Sequence, residues 1–384
     1  MVTRVSVAPE LLRWAVERAG WDAEAVSSRA PELEKWVSGG HPTLKQLEKF
    51  ANATHTPLGL FFLPEPPEER IPIPDMRTMG NNEVTRPSVD LLDTIYLCQN
   101  RQEWYGGYAI AHGFAPLPFV GSMTTSAPPE TAADSIRSAL RFGVPDRSGF
   151  GSTEETRRRL VDRIEDIGVL VMISGIVGGN TRRVLRPEEF RGFALTDPLA
   201  PLIFINGSDT KAAQIFTMVH ELAHVWLGES ALSDAAMAAP QGDETELWCN
   251  RVAAEVLVPL SSLRDDYGGR PTTEELDRLA RRYRVSTLVV LRQIFAARLL
   301  TWEEFEQHYS EESDRIDAIL ASHRDGALGG NYYYTQPLRL SRSFARAVVA
   351  STFEGSTGYR EAYRLLGTRK NKTFRNLAAE LGVA

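Results

Sequence analysis

The sequence predicts an α+β protein, mainly helical and divided into several domains, with a small sheet packed against one central helix. Three observations carry that prediction. The chain has 384 residues, 43% of them apolar and 24% charged, which is ordinary globular composition spread over more chain than one compact domain holds. Apolar residues recur at helical spacing along most of its length. Strand-like apolar runs are confined to a short central region, Val169 to Ile173 and two runs within Gly192 to Asn206.

Residues 1–63 read as short helices. Leu11, Leu12, Ala15, Val16 and Ala19 share a face after Pro9, with Gly20 as a stop. Further helices are expected over Ala23 to Ser28, Pro31 to Val37 and Thr43 to Thr54. A linker, 64–86, follows: Leu63 to Asp75 holds five prolines in thirteen residues, too many for a helix or a sheet interior. Residues 87–148 form a helical connecting region, with helices over Val89 to Ala111 and Glu130 to Phe142. The α+β domain proper is expected over 149–310. It begins with a charged amphipathic helix, Thr153 to Asp166, and continues through the strands to helices at Glu246 to Leu257, Thr273 to Tyr283 and Thr287 to Leu299. A basic helical region, 311–384, closes the chain.

Charge is unevenly placed. The formal net charge is −7, which lacks the overall basic excess of a dedicated nucleic-acid binder. Yet residues 331–384 carry nine basic and three acidic side chains, so the preceding chain is strongly acidic and the tail is a candidate interaction surface. Two cysteines, Cys98 and Cys249, make no disulfide framework. With no signal-peptide pattern and no long apolar run, the expectation is a cytoplasmic protein without a membrane partner.

The chemistry concentrates in His220-Glu221-Leu222-Ala223-His224, an HExxH pattern in a segment of strong helical character. At about 100° per residue the two histidines lie about 40° apart, one turn above the other, so their imidazoles can converge on one ion. Glu221, about 100° round from His220, stays off the ion but within reach of a reacting water. An open catalytic zinc site needs a third protein ligand. In the helix of residues 243–259, Glu246, Asn250, Ala253 and Leu257 form one stripe, whereas Glu244 and Glu255 fall on the other side and read as solvent-facing. Glu246 is therefore the candidate ligand and Asn250, one turn on, a candidate hydrogen-bond support for a ligand. Arg251 and His308 are the candidates for oxyanion stabilisation. An exposed edge at Pro201 to Asn206 is expected to bind extended peptide. Trp14, Trp36, Trp104, Trp226, Trp248 and Cys249 are read as core residues.

The HELAH element, the Glu246-Leu247-Trp248-Cys249-Asn250 element that continues to Pro259, and the strand pair Arg191 to Asn206 together resemble the ImmA/IrrE metallopeptidases over about residues 150–300. Cys249 stands where alanine is usual. The resemblance implies a zincin-like fold for 149–310, one Zn2+ per chain held by His220, His224 and Glu246, and Glu221 as catalytic base. Residues 1–63 resemble an Xre-type helix-turn-helix, carried by Leu33 to Gly40, Pro42-Thr43-Leu44 and Leu47 to Ala51. Their seven basic and seven acidic side chains offer little phosphate attraction.

Two functions stay open at this point. The first is a zinc endopeptidase cutting a regulatory protein such as a helix-turn-helix repressor. The second is a DNA-binding transcriptional regulator, or the antitoxin of a toxin-antitoxin pair, that uses the zinc domain for sensing or partner binding. The partners these imply are a repressor or toxin, DNA through the N-terminal domain or the basic tail, and a second copy in a homodimer.

Overall fold

The structure is a computed structural model and describes residues 3–75, 87–233, 243–322 and 339–383, with the side chains of 317 and 320–322 excepted. It divides into two compact units, Met1–Pro72 with Val84–Ile95, and Ile73–Glu83 with Tyr96–Ala384.

In the first unit four helices form, α1 (Pro9–Arg18), α2 (Ala23–Arg29), α3 (Leu33–Val37) and α4 (Leu44–Ala53), followed by a 3-10 turn at Leu58–Phe62. Each lies within two residues of its expected position. The start of α4 is set chemically: Thr43 accepts from the Gln46 backbone N–H while the Gln46 side chain accepts from the Thr43 N–H, a reciprocal capping box. Leu11, Leu12, Trp36, Leu47 and Phe50 build the core. The Phe50 ring meets Trp36 edge-on at 5.9 Å, a favoured aromatic geometry.

The second unit is built on a four-stranded sheet, β1 (Leu170–Ser174), β2 (Gly192–Leu195), β3 (Leu202–Asn206) and β4 (Ala231–Ser233), in the order β1-β3-β2-β4. β1 runs parallel to β3, and the other two pairings are antiparallel. Side chains alternate across the sheet. Val171, Ile173, Ala194, Ile203 and Ile205 join the main core around helix α9 (Lys211–Leu227). On the opposite face Phe193 and Phe204, partners in register, stack with centroids 5.0 Å apart. Also on that side, Cys98 of helix α5 (Val89–Ala111) lies 3.9 Å from the Met172 sulfur. Gln102 of α5 donates to the Leu195 and Ala200 carbonyls at 2.8 and 2.9 Å.

The expected peptide-binding edge at Pro201 to Asn206 is corrected by this topology. β3 is an interior strand, bonded on both sides and buried along its whole length. The true edge next to β2 is β4, and its outer side is already engaged: the Leu232 N–H donates to the Pro74 carbonyl at 2.9 Å, and Asp75 bridges Leu232 in parallel.

The remaining helices of this unit are α6 (Pro129–Leu140), α7 (Val144–Arg147), α8 (Thr153–Asp166), α10 (Glu244–Leu257), α11 (Leu260–Asp266), α12 (Thr273–Tyr283), α13 (Thr287–Ala296), α14 (Trp302–Ser322), α15 (Arg342–Phe353), α16 (Tyr359–Leu365) and α17 (Asn371–Glu380). The C-terminal region is tied in through Glu165, whose carboxylate accepts the backbone N–H groups of Arg342 and Ser343 at 2.9 and 3.2 Å. Trp14, Trp36, Trp226 and Trp248 are buried and Trp104 is half-buried. Tyr332 to Tyr334, whose Gly-rich sequence context favours a packed turn over a stacking surface, lie outside the described residues. No described helix is long and apolar enough to cross a membrane.

Candidate metal centre

α9 begins where Thr210 caps the Ala213 N–H and ends at Gly228, whose φ of +75° closes the last turn. Alanine would fail at Gly228 for a second reason: its Cβ would sit 2.9 Å from the Gly121 Cα. From Gln214 to Trp226 every residue of α9 is buried, so the helix is enclosed on all sides rather than along the one stripe its spacing suggests. α10 starts at the Asp243 cap, which accepts the Thr245 N–H, and is anchored by Trp248, whose indole N–H donates to the Ala127 carbonyl at 2.8 Å. These two helices bring the candidate residues together.

His220, His224 and Glu246 converge. Their ligand atoms all lie within 4.8 Å of one another. His220 Nε2 is 3.2 Å from Glu246 Oε2, His224 Nε2 is 3.1 Å from Glu246 Oε1, and the two Nε2 atoms are 3.2 Å apart. Asn250 Oδ1 lies 3.1 Å from His220 Nδ1, so it accepts that ring's N–H and leaves the Nε2 lone pair facing the cluster. The arrangement places three electron-pair donors around one point in a buried setting, which suits a borderline cation such as zinc. Burial pushes the Glu246 carboxyl up, but its close contacts with the His220 and His224 rings outweigh that and hold the group well below the usual carboxylate range. Burial lowers the His224 pKa, against the pull of Glu246, which favours the neutral, ligating form.

Glu221 is also fully buried, yet among the described residues neither of its carboxylate oxygens has a hydrogen-bond partner. Burial first, then the charge of Glu246, raises its pKa well above normal, with the Ser233 hydroxyl acting in the opposite sense. A buried carboxylate left without donors is costly, and at a site of this kind it reads as a group kept ready to exchange a proton. Gly192 makes room for it: a Cβ at that position would stand 2.8 Å from Glu221 Oε1.

Residues 164–319 match the IrrE N-terminal-like domain, a peptidase family. The match runs from the end of α8 into α14 and takes in the whole sheet and all the converging residues. It supports a zincin-like metallopeptidase domain in this part of the chain, from a family of zinc peptidases. Residues 340–380, which hold α15 to α17, match a domain of unknown function (DUF8813). A comparison with curated proteins found no significant match.

Other sequence readings fare differently. Ser233, absent from the sequence-level candidates, stands 3.3 Å from both His224 Nε2 and Glu246 Oε1. It sits on a three-residue strand too short to carry a periodic signal. Glu255 is not solvent-facing: it is buried and accepts the Leu260 N–H at 3.1 Å, capping the start of α11. Among the described residues neither oxyanion candidate has a hydrogen bond or ion pair to the cluster. Arg251 lines a cavity of about 630 Å³ with Asn250 and Arg292, and His308 lies beside Glu311 on its own helix. Cys249 is buried, and burial raises its thiol pKa well above normal, which fits a packing role.

Proposed function

We propose that this chain is a zinc-dependent endopeptidase of the HExxH type that cleaves a regulatory protein such as a helix-turn-helix repressor. The observation that carries the reading is the convergence of His220, His224 and Glu246 beside a buried Glu221 whose oxygens have no hydrogen-bond partner among the described residues. Those three residues would hold the ion. When bound, zinc supplies Lewis acidity, making water ionisable near neutral pH and polarising a scissile carbonyl.

The chain's own groups do the rest. Glu221 takes a proton from the attacking water and returns it to the departing amine, a task suited to a carboxyl whose pKa burial has raised. Asn250 holds the His220 ring in one tautomer, and the Ser233 hydroxyl steadies Glu246. The regulatory-protein substrate is supported by the resemblance to the ImmA/IrrE family.

The test is Glu221→Gln in the full chain. It should bind zinc one to one, as measured by metal analysis, while cleavage of a co-expressed partner repressor stops. Equal cleavage by that variant and the parent would sink the assignment.

A further inference from the structure

Away from the metal centre, a cavity of about 750 Å³ opens between α5, the loop after β1 and the turn after α16. Its lining includes four arginines, Arg101, Arg182, Arg364 and Arg369, together with Gly178 and Gly179, and no carboxylate. Arg101 is the informative member. It is only 7% exposed, yet it has no acidic partner among the described residues. Its Nε donates to the Leu365 carbonyl at 3.2 Å and its Nη1 faces the Met172 sulfur at 3.6 Å, which leaves Nη2 without a protein acceptor. Among the described residues Arg182 and Arg369 also make no ion pair, and Arg364 has only a loose contact with Glu361 at 3.9 Å.

A buried guanidinium without a counter-charge is expensive, and burial pulls its pKa down. Three further arginines line the same space. Such an arrangement is stable when an anion completes it, and planar guanidinium groups match phosphate oxygens with paired hydrogen bonds. The two glycines lower the wall, so that backbone rather than side chain faces the space. The cavity's volume of about 750 Å³ fits one compact ligand rather than a continuous nucleic-acid strand, which needs an extended charged track.

We propose that this cavity binds a small phosphate-bearing ligand, up to nucleotide size, through Arg101 at its base and Arg182, Arg364 and Arg369 at its rim. The site joins the peptidase-family region to the C-terminal helices and does not depend on the proposed peptidase activity.

The experiment is calorimetric titration of the full chain with pyrophosphate, with ADP and with a twelve-nucleotide single-stranded DNA. Pyrophosphate and ADP should each bind once per chain, more weakly as salt rises, and the ratio of their affinities separates a nucleotide from a free polyphosphate as the source. Arg182→Ser with Arg369→Ser, both at exposed positions, should weaken binding by about tenfold or more with the fold retained by circular dichroism. In Arg101→Met the thermal stabilisation given by pyrophosphate should vanish, while the ligand-free protein melts no lower than the parent. Silence of both small ligands, binding by DNA alone, or affinities unchanged in the double variant would each overturn the proposal.

Discussion

Replacing Gly192 by alanine places one methyl group where the sheet comes nearest to Glu221. The added Cβ would lie 2.7 Å from Thr217 Cγ2, 2.8 Å from Glu221 Oε1 and 2.9 Å from the Phe204 carbonyl oxygen. Ordinary contact begins at 3.4 Å, so relief of about 0.5–0.7 Å is needed on three sides at once. The Phe204 oxygen belongs to a strand bonded on both sides, and Thr217 is fixed in the buried helix α9. Relief therefore falls on Glu221 or on the spacing between sheet and helix. Overpacking of this kind costs about 1–3 kcal/mol, a fall in Tm of roughly 2–10 °C for a unit of this size. A base displaced by about half an ångström should also slow cleavage by roughly tenfold with zinc retained. The control is Gly107→Ala, the same chemical change on an exposed stretch of α5 where a Cβ meets nothing within 4 Å. It should stabilise by about 0.4–1 kcal/mol. Thermal melts of both variants decide the matter: a Gly192→Ala protein as stable as the parent would refute the packing argument.

Asn250→Ala should keep the fold but weaken zinc binding by about 10–100-fold, measured by competition with a chelating dye, because His220 loses the acceptor that orients it. Removing zinc with a chelator should lower Tm, since a ligand held at about 100 times its Kd stabilises by about 2.7 kcal/mol; His220→Ala with Glu246→Gln should show no such dependence. Glu165 gives a pH prediction. Burial raises its pKa from 4.5 despite its hydrogen bonds to Ser341, Arg342 and Ser343. Its contribution is thus complete below pH 4.5 and is lost as pH rises through the higher folded value. Glu165→Gln, always neutral, should flatten that decline in melts from pH 4 to 7. Glu165→Ala, which strands two N–H groups at the start of α15, should cost about 1–3 kcal/mol.

Local chemistry was legible in the sequence wherever one segment held the whole signal. The HExxH helix, the Glu246-Asn250 stripe and the amphipathic α8 all follow from helical spacing within about twenty residues, and all form as expected. What depends on partners distant in sequence was not legible. The Pro201 to Asn206 run looks the same whether it lies at an edge or inside a sheet, and only the parallel pairing of β3 with β1 decides. β4 offers three small or apolar residues with no period. Glu255 lies off the ligand stripe, yet α11 turns back so that the Leu260 N–H needs it. The same limit hid Gly192, whose role appears only once β2 is laid across α9.

The bond from Leu232 to Pro74 has a consequence for where a self-sufficient catalytic fragment begins. A fragment started at α8, or even at α5, would leave the outer side of β4 open one residue from Ser233. An open edge recruits strands from other molecules and invites aggregation. The native chain closes it with a segment poorly able to recruit in turn: Pro72 and Pro74 flank Ile73 and carry no N–H, so this stretch accepts a bond at Pro74 and ends the sheet there. The proline-rich tether is therefore a terminator as well as a spacer, and a well-behaved fragment should start at or before Ile73.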